Sequence, residues 1–190
     1  MKFEFFAPTV FEVPPSFRKK TKIFGMGQKN AEKLGRELSN LSANITLVIF
    51  GCAGSLREDF KPGDIFVITK LPEGSLQSVP GLREARLASS MNILKTPEQK
   101  RIFKNKTNAD LVDMEMECLW KVASPEIRAK MIFIRGVIDG TADDISFLSE
   151  QGVNWKKLLS PNQLLKFLKF IFHWRQYLKK MNLVLQRIDT

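Results

Sequence analysis

Short apolar runs closed by turn residues alternate with one-faced helical patterns along most of the chain. Residues 2–6 (KFEFF) and 45–50 (ITLVIF) have the length and bounded ends of buried strands. Between them Ala31, Leu34, Leu38 and Leu41 recur at spacings of three and four, which predicts a helix over 30–41 with one apolar face. Strand, helix, strand is the pattern of a crossover unit in a parallel sheet. IFVIT (65–69), MNIL (91–94), ADLVDM (109–114) and MIFIR (131–135) predict further strands, with a helix over 115–122. Residues 70–90 hold Pro72, Gly74, Pro80 and Gly81 and predict a long loop. At Thr96-Pro97-Glu98-Gln99 a helix starts, with an N-cap, a Pro at the first helical position and a Gln at N3. A last helix over 160–181 places Leu164, Leu168, Ile171, Trp174, Leu178 and Met181 on one face, and Lys166, Lys169, His173, Gln176 and Lys180 on the other. No repeat and no linker-like stretch interrupts 1–190, so the expectation is one α/β domain of three layers, α/β/α, around a central mixed, mostly parallel sheet.

Composition narrows the class. The chain is 44% hydrophobic and 26% charged, the balance of a globular domain rather than a disordered or membrane-spanning one. Cys52 and Cys118 sit in apolar runs and form no CxxC pair, so neither a metal centre nor a disulfide framework is indicated. The N-terminus is broken by Pro8, Pro14 and Pro15 and lacks a signal-peptide core, so a cytoplasmic protein is the expectation. A net charge of +10 suits nucleic acid, an anionic membrane or a phosphate-bearing substrate. Eight Lys or Arg against one acid fall in 155–190, so most of the excess is local to the tail. No nucleic-acid motif accompanies it, and nucleic acid is not an expected partner. A basic helix carrying Phe167, Phe170, Trp174 and Tyr177 allows peripheral contact with a membrane, or it closes the core with its lysines in water.

Chemistry is sought at strand ends, because ligands of open α/β sheets bind beyond the carboxyl ends of the strands. Glu12, Glu115 and Asp139 occupy such positions. Each alone reads equally as a cap or a solvated charge. Gly25 and Gly27 in FGMG, and Gly51 and Gly54 in GCAG, follow apolar runs and could offer backbone N–H groups to an anion, or simply turn the chain.

In chain order, FGCAGSL (50–56), KPGDIFVIT (61–69), VDMEMECLWKVA (112–123) and FIRGVIDGTADD (133–144) resemble the signature segments of the nucleoside phosphorylase superfamily. The likeness is to the methylthioadenosine/adenosylhomocysteine nucleosidases and to the hopanoid-associated phosphorylases. It covers the chain from the first strand to about residue 150. The resemblance implies a phosphorylase/hydrolase-like fold, a small-molecule purine nucleoside as substrate, a homo-oligomer and no cofactor, with phosphate a conceivable co-substrate. It also implies that Asp113, Met114 and Glu115 form the ribose-binding triplet, Met114 packing on the sugar and Glu115 accepting its two hydroxyls. The tandem DMEME offers Glu117 as a second register, but the following Val122-Ala123 and the spacing to Asp139 favour Glu115. Asp139, four residues after Arg135, takes the place of the acid that protonates purine N7. Glu12, in APTVFEV, falls where nucleosidases keep the Glu that activates water.

Ala53 and Gly54 would line the substrate. Gly25, Gly27 and Ser55, with Arg57 nearby, would hold phosphate or the nucleophile. A carboxylate at Glu12 tilts the acceptor towards water, since it repels phosphate and can take a proton. Two departures stand out. Some forty residues separate IFVIT from the DME strand, fewer than is usual, and the position expected to stack on the base falls near Met91, Asn92 and Ile93, with no Phe or Tyr. Asp143 and Asp144 are expected to cap a following helix, and His173 to lie exposed on the polar stripe.

Overall fold

The computed structural model describes residues 2–39, 45–149 and 152–190. Strands β1 (Lys2–Ala7), β2 (Thr21–Ile23), β3 (Ile45–Ser55), β4 (Ile65–Leu71), β5 (Gly74–Ser75), β6 (Arg83–Ser89), β7 (Leu111–Asp113) and β8 (Met131–Asp139) form one mixed sheet. Five of the eight pairings within it are parallel. A separate antiparallel pair joins β9 (Leu148–Ser149) to β10 (Gly152–Val153). The sheet closes on itself. β3 pairs with β8 and β7, β8 with β4, β4 with β6, and β6 with β7, so five strands make a ring from which β1 and β2 extend.

The two faces of β3 show why this sequence needs three layers. Leu47 and Ile49 point into a cluster with Leu34, Leu38 and Leu119, while Val48 and Phe50 point into another with Tyr177, Met181 and Leu185. Successive strand residues face opposite ways, so each face requires its own cover. Helices α1 (Gln28–Leu38) and α3 (Met116–Val122) cover the first, and α5 (Pro161–Asp189) the second. Helix α2 (Pro97–Thr107) starts at the capping box expected at Thr96, and α4 (Pro125–Arg128) is a single turn before β8.

Three local expectations are corrected. MNIL is not a strand: Met91 is 75% exposed, and the strand is β6, inside the stretch expected to be a loop. MNIL, with three apolar residues in four, outscores REARLAS, yet only the latter buries Ala85, Leu87 and Ala88 and pairs on both edges. The last helix runs to Asp189 and is rotated from the expected face. Phe170, Tyr177, Met181 and Leu185 are buried at spacings of seven, four and four, whereas Leu164 and Leu168 are exposed. Lys166, Lys169 and Lys180 pair with Asp144, Asp143 and Asp64 at the edge of the helix. No helix follows Asp143 and Asp144 directly; they close turns by accepting from the Gly140 and Ser146 N–H groups. Leu41, expected at the end of the first helix, lies outside the described residues.

Candidate active site

The site forms where β3, β7 and β8 end. A β-bulge between Ala53 and Gly54 shifts the register so that Gly54 pairs with Asp139 on β8, while its other edge pairs with Val112 on β7. One backbone position thus has Asp139 on one side and the Asp113–Glu115 segment on the other. The close approach needs glycine: a Cβ on Gly54 would lie 3.3 Å from both Asp139 carboxylate oxygens, and one on Gly51 would lie 2.6 Å from Glu12 Oε2.

Arg135 and Asp113 are the frame. Arg135 sits between Phe133 and Val137 on the inner face of β8, is fully buried, and donates from Nε and Nη2 to Asp113 Oδ2 at 3.0 and 2.8 Å. Asp113 Oδ1 also accepts from Ser89 Oγ at 2.5 Å, and the carboxylate accepts from the Glu115 and Met116 backbone N–H groups. A buried charge tolerates its site only when paired and hydrogen-bonded on this scale.

Around this pair stand two further buried carboxylates. Glu12, at the end of a short 3-10 turn (Val10–Glu12), accepts from the Cys52 N–H at 2.8 Å and the Thr9 hydroxyl at 3.0 Å, and its own carbonyl accepts from the Tyr177 hydroxyl at 2.8 Å. Glu115, just before α3, accepts from the Gly27 N–H at 2.9 Å. Burial, with Asp113 adding to it, pushes the Glu115 carboxyl up to about 7. Burial also raises Glu12, against the Cys52 N–H and Arg135, which hold it down. The two glutamates repel each other electrostatically through the same site. Glu117 is directed elsewhere, accepting from the Ser89 N–H at 2.6 Å.

Asp139 is 3% exposed and ion-paired with Lys100 of α2, itself 2% exposed. The remaining Lys100 donors reach the Gly140 carbonyl at 2.6 Å and the Asp143 carbonyl at 3.5 Å. Burial raises the Asp139 carboxyl and Lys100 opposes it.

Solved structures share this arrangement of chain. With 13% identity and 98% of each chain covered, the TM-score is 0.65 to a Helicobacter pylori 5′-methylthioadenosine/S-adenosylhomocysteine nucleosidase holding butyl-thio-DADMe-Immucillin-A, and 0.66 to the H. pylori futalosine hydrolase. A Streptococcus pneumoniae MTA/SAH nucleosidase in complex with 8-aminoadenine matches at 13% identity and TM-score 0.60, over 89% of this chain and 99% of that one. The fold is that of the nucleosidases. No sequence-family model matches the chain, and no curated protein matches it.

Within this nucleosidase fold the structure gathers Glu12, Asp113, Glu115, Ala53, Gly54 and Asp139 around the end of β3, with Met114 half-buried beside them. Asn92 and Ile93 part ways: Asn92 is exposed, and Ile93 packs with Ile145, Phe147 and Phe170. The three residues named for phosphate have other partners. The Gly25 N–H donates to the Pro8 carbonyl, the Gly27 N–H to Glu115, and buried Ser55 exchanges hydrogen bonds with the Arg57 backbone.

A cavity of about 280 Å³ reaches Asp139, bounded by Ile138, Ile145, Phe170, Lys169 and His173. His173, expected in water, is half-buried in its wall, and burial lowers its imidazole. A larger groove of about 730 Å³ lies at the opposite ends of the strands, against Phe3, Ile45, Ile132 and Val184, and contains none of the clustered carboxylates. Sequence patterns gave no sign of Lys100, Phe170 or Tyr177 as site residues. Tyr177 and Phe170 share the true buried stripe of α5, and that spacing was the one available signal.

Proposed function

We propose that the chain cleaves the N-glycosidic bond of a purine nucleoside or a 5′-modified adenosine, with water as the acceptor. Asp139 delivers the proton to purine N7, Glu115 and Met114 hold the ribose, and Glu12 takes a proton from the attacking water. The carrying observation is that buried Glu12, Glu115 and Asp139 stand around one strand end: Gly54 pairs with Asp139 on one edge and with Val112, three residues before Glu115, on the other, and Glu12 lies against Gly51. Carboxyls whose surroundings raise their pKa values suit acid and base roles near neutrality. Water is favoured over phosphate because Glu12 repels an anion and the Gly25, Gly27 and Ser55 donors are already engaged. The nucleosidase fold supports this chemistry by likeness alone.

A panel of nucleosides, with and without phosphate, tests it by release of free base. Phosphate-independent release, lost in Asp139→Asn, is the expected result. No release from any member by the wild type overturns it. One observation favours a non-catalytic nucleoside-binding role instead: Glu115 is bound by Gly27 and lies outside the lining of the 280 Å³ cavity. Ligand-induced stabilisation without turnover is the signature of that alternative.

The same proposal places the enzyme in the cytoplasm as a homo-oligomer. Among the described residues no helix is long and apolar enough to cross a membrane. The outer face of α5 still leaves Leu165, Leu168 and Phe172 more than half exposed, which is the observation favouring peripheral membrane contact.

A further inference from the structure

We infer that Lys100 is the proton reservoir of Asp139, a positioning residue that recharges the acid from behind while making no contact with the nucleoside. The inference rests on the proposed N-glycosidic cleavage. Three observations carry it. Lys100 and Asp139 are both buried and in direct contact. The other donors of Lys100 are spent on the Gly140 and Asp143 carbonyls, which pins the ammonium group in one orientation and leaves none for a substrate. Lys100 also comes from α2, whose start is fixed by the reciprocal capping box of Thr96 and Gln99, so its approach to Asp139 is built into the fold.

The pairing changes what Asp139 can do. Burial draws a proton towards the Asp139 carboxyl and the Lys100 ammonium opposes it, so the two groups hold their protons jointly. Protonation of N7 therefore requires the pair to act together. As the C1′–N9 bond breaks, its electrons pass into the purine and N7 takes the proton from the Asp139 carboxyl. The Lys100 ammonium supplies that proton and becomes a neutral amine. Water gives hydroxide to C1′ and its other proton to Glu12. The sum is nucleoside plus water to ribose hydroxyl plus N–H purine, and exchange with solvent after release returns a proton from Glu12 and restores one to Lys100.

Among the described residues, the charged and titratable groups facing Asp139 include Asp144, Lys166, Lys169 and His173 across the 280 Å³ cavity. Lys100 comes from α2, Asp143 from the turn after β8, and Cys52 from β3. Asp143 is held by Lys169 of α5 at 2.7 Å, with His173 beside it. Only Lys100 contacts the Asp139 carboxylate among the described ion pairs.

Lys100→Arg and Lys100→Met separate a proton source from a structural counter-ion. Arginine keeps the charge but does not release a proton in a protein. The expected result for Lys100→Arg is a kcat lower by about 100-fold or more, the scale of a lost acid–base step, with KM changed less than about threefold. For Lys100→Met the alkaline limb of kcat should move to lower pH, because Asp139 must then supply its own proton. Full kcat in Lys100→Arg, or an alkaline limb that stays in place or moves up in Lys100→Met, overturns the reservoir role. Thermal melts of both variants identify any that fail to fold, and Lys100→Arg, which retains the buried charge, is then the deciding protein. Absence of turnover by the wild type would sink the cleavage proposal and this role with it, a result distinct from turnover that ignores Lys100.

Discussion

Asp113 has the most partners of any carboxylate in the site: both Arg135 nitrogens, the Ser89 hydroxyl and two backbone N–H groups. Removing its charge leaves a buried guanidinium unpaired, so Asp113→Asn should cost about 3–5 kcal/mol of stability, measured by urea denaturation. A loss under about 1 kcal/mol would show that Arg135 finds another partner. Glu115 acts in the opposite sense. Its folded pKa of about 7 lies above its ordinary 4.5, so between these values the native state holds a proton that the unfolded chain has released. Stability from this group is therefore greatest at low pH and is lost as pH rises towards 7. Glu115→Gln should raise the melting temperature relative to wild type more at pH 8 than at pH 5, and an equal shift at both would contradict the burial argument. Ribose binding by the ionised form runs the other way, so KM should fall as pH rises through about 7.

These residues were unequally legible. The carboxylates lie at strand ends and could be named from position and motif, whereas Lys100 is one lysine among the 30 basic residues of a +10 chain. Only the packing of α2 over the end of β8 distinguishes it.

At the scale of elements, α5 and the capping of α2 connect stability to chemistry. Tyr177 fills the space beside β8 and donates to the Glu12 carbonyl. Tyr177→Phe keeps the ring and leaves that buried carbonyl unsatisfied, at a cost of about 1–3 kcal/mol. It should also lower kcat, because the turn that aims Glu12 loses its anchor; an unchanged kcat would detach Glu12 from α5. Thr96→Ala removes half of a capping box and should cost about 1 kcal/mol by denaturant titration.

Legibility also differed among elements. The Thr96 start was readable because a capping box is a local hydrogen-bond pattern. β6 was not, since Arg83 and Glu84 break its apolar signal and it is recognised only by pairing with β4 and β7. The rotation of α5 escaped detection because Leu164 and Leu168 are as apolar as the residues that became buried. The buried face is the one that carries Phe170, Tyr177, Met181 and Leu185, and Lys166 and Lys169 at its side pair with Asp144 and Asp143.

Considered whole, the molecule is a closed strand ring with a helix layer on each side, and closure brings β7 and β8 onto the same end of β3. The alternation of strands and helices predicted the layers. It did not predict the ring, which depends on antiparallel contacts of β3 with β7 and of β4 with β8 between residues far apart in sequence. The exposed row on α5 is a property of the whole surface. If it meets a membrane, Leu168→Asn with Phe172→Asn, which removes the apolar row at constant charge, should sharply reduce co-sedimentation with anionic vesicles and leave base release unchanged; undiminished sedimentation would exclude this row as the contact.

The convergence of a proton-donating and a sugar-binding carboxyl on one ligand is tested most directly by a crystal structure with a non-hydrolysable 5′-thioadenosine analogue. The expected complex places both ribose hydroxyls within hydrogen-bond distance of Glu115, displacing the Gly27 N–H, and N7 against Asp139. A ligand seated in the groove at the far ends of the strands, or bound with Glu115 still on Gly27, would contradict it.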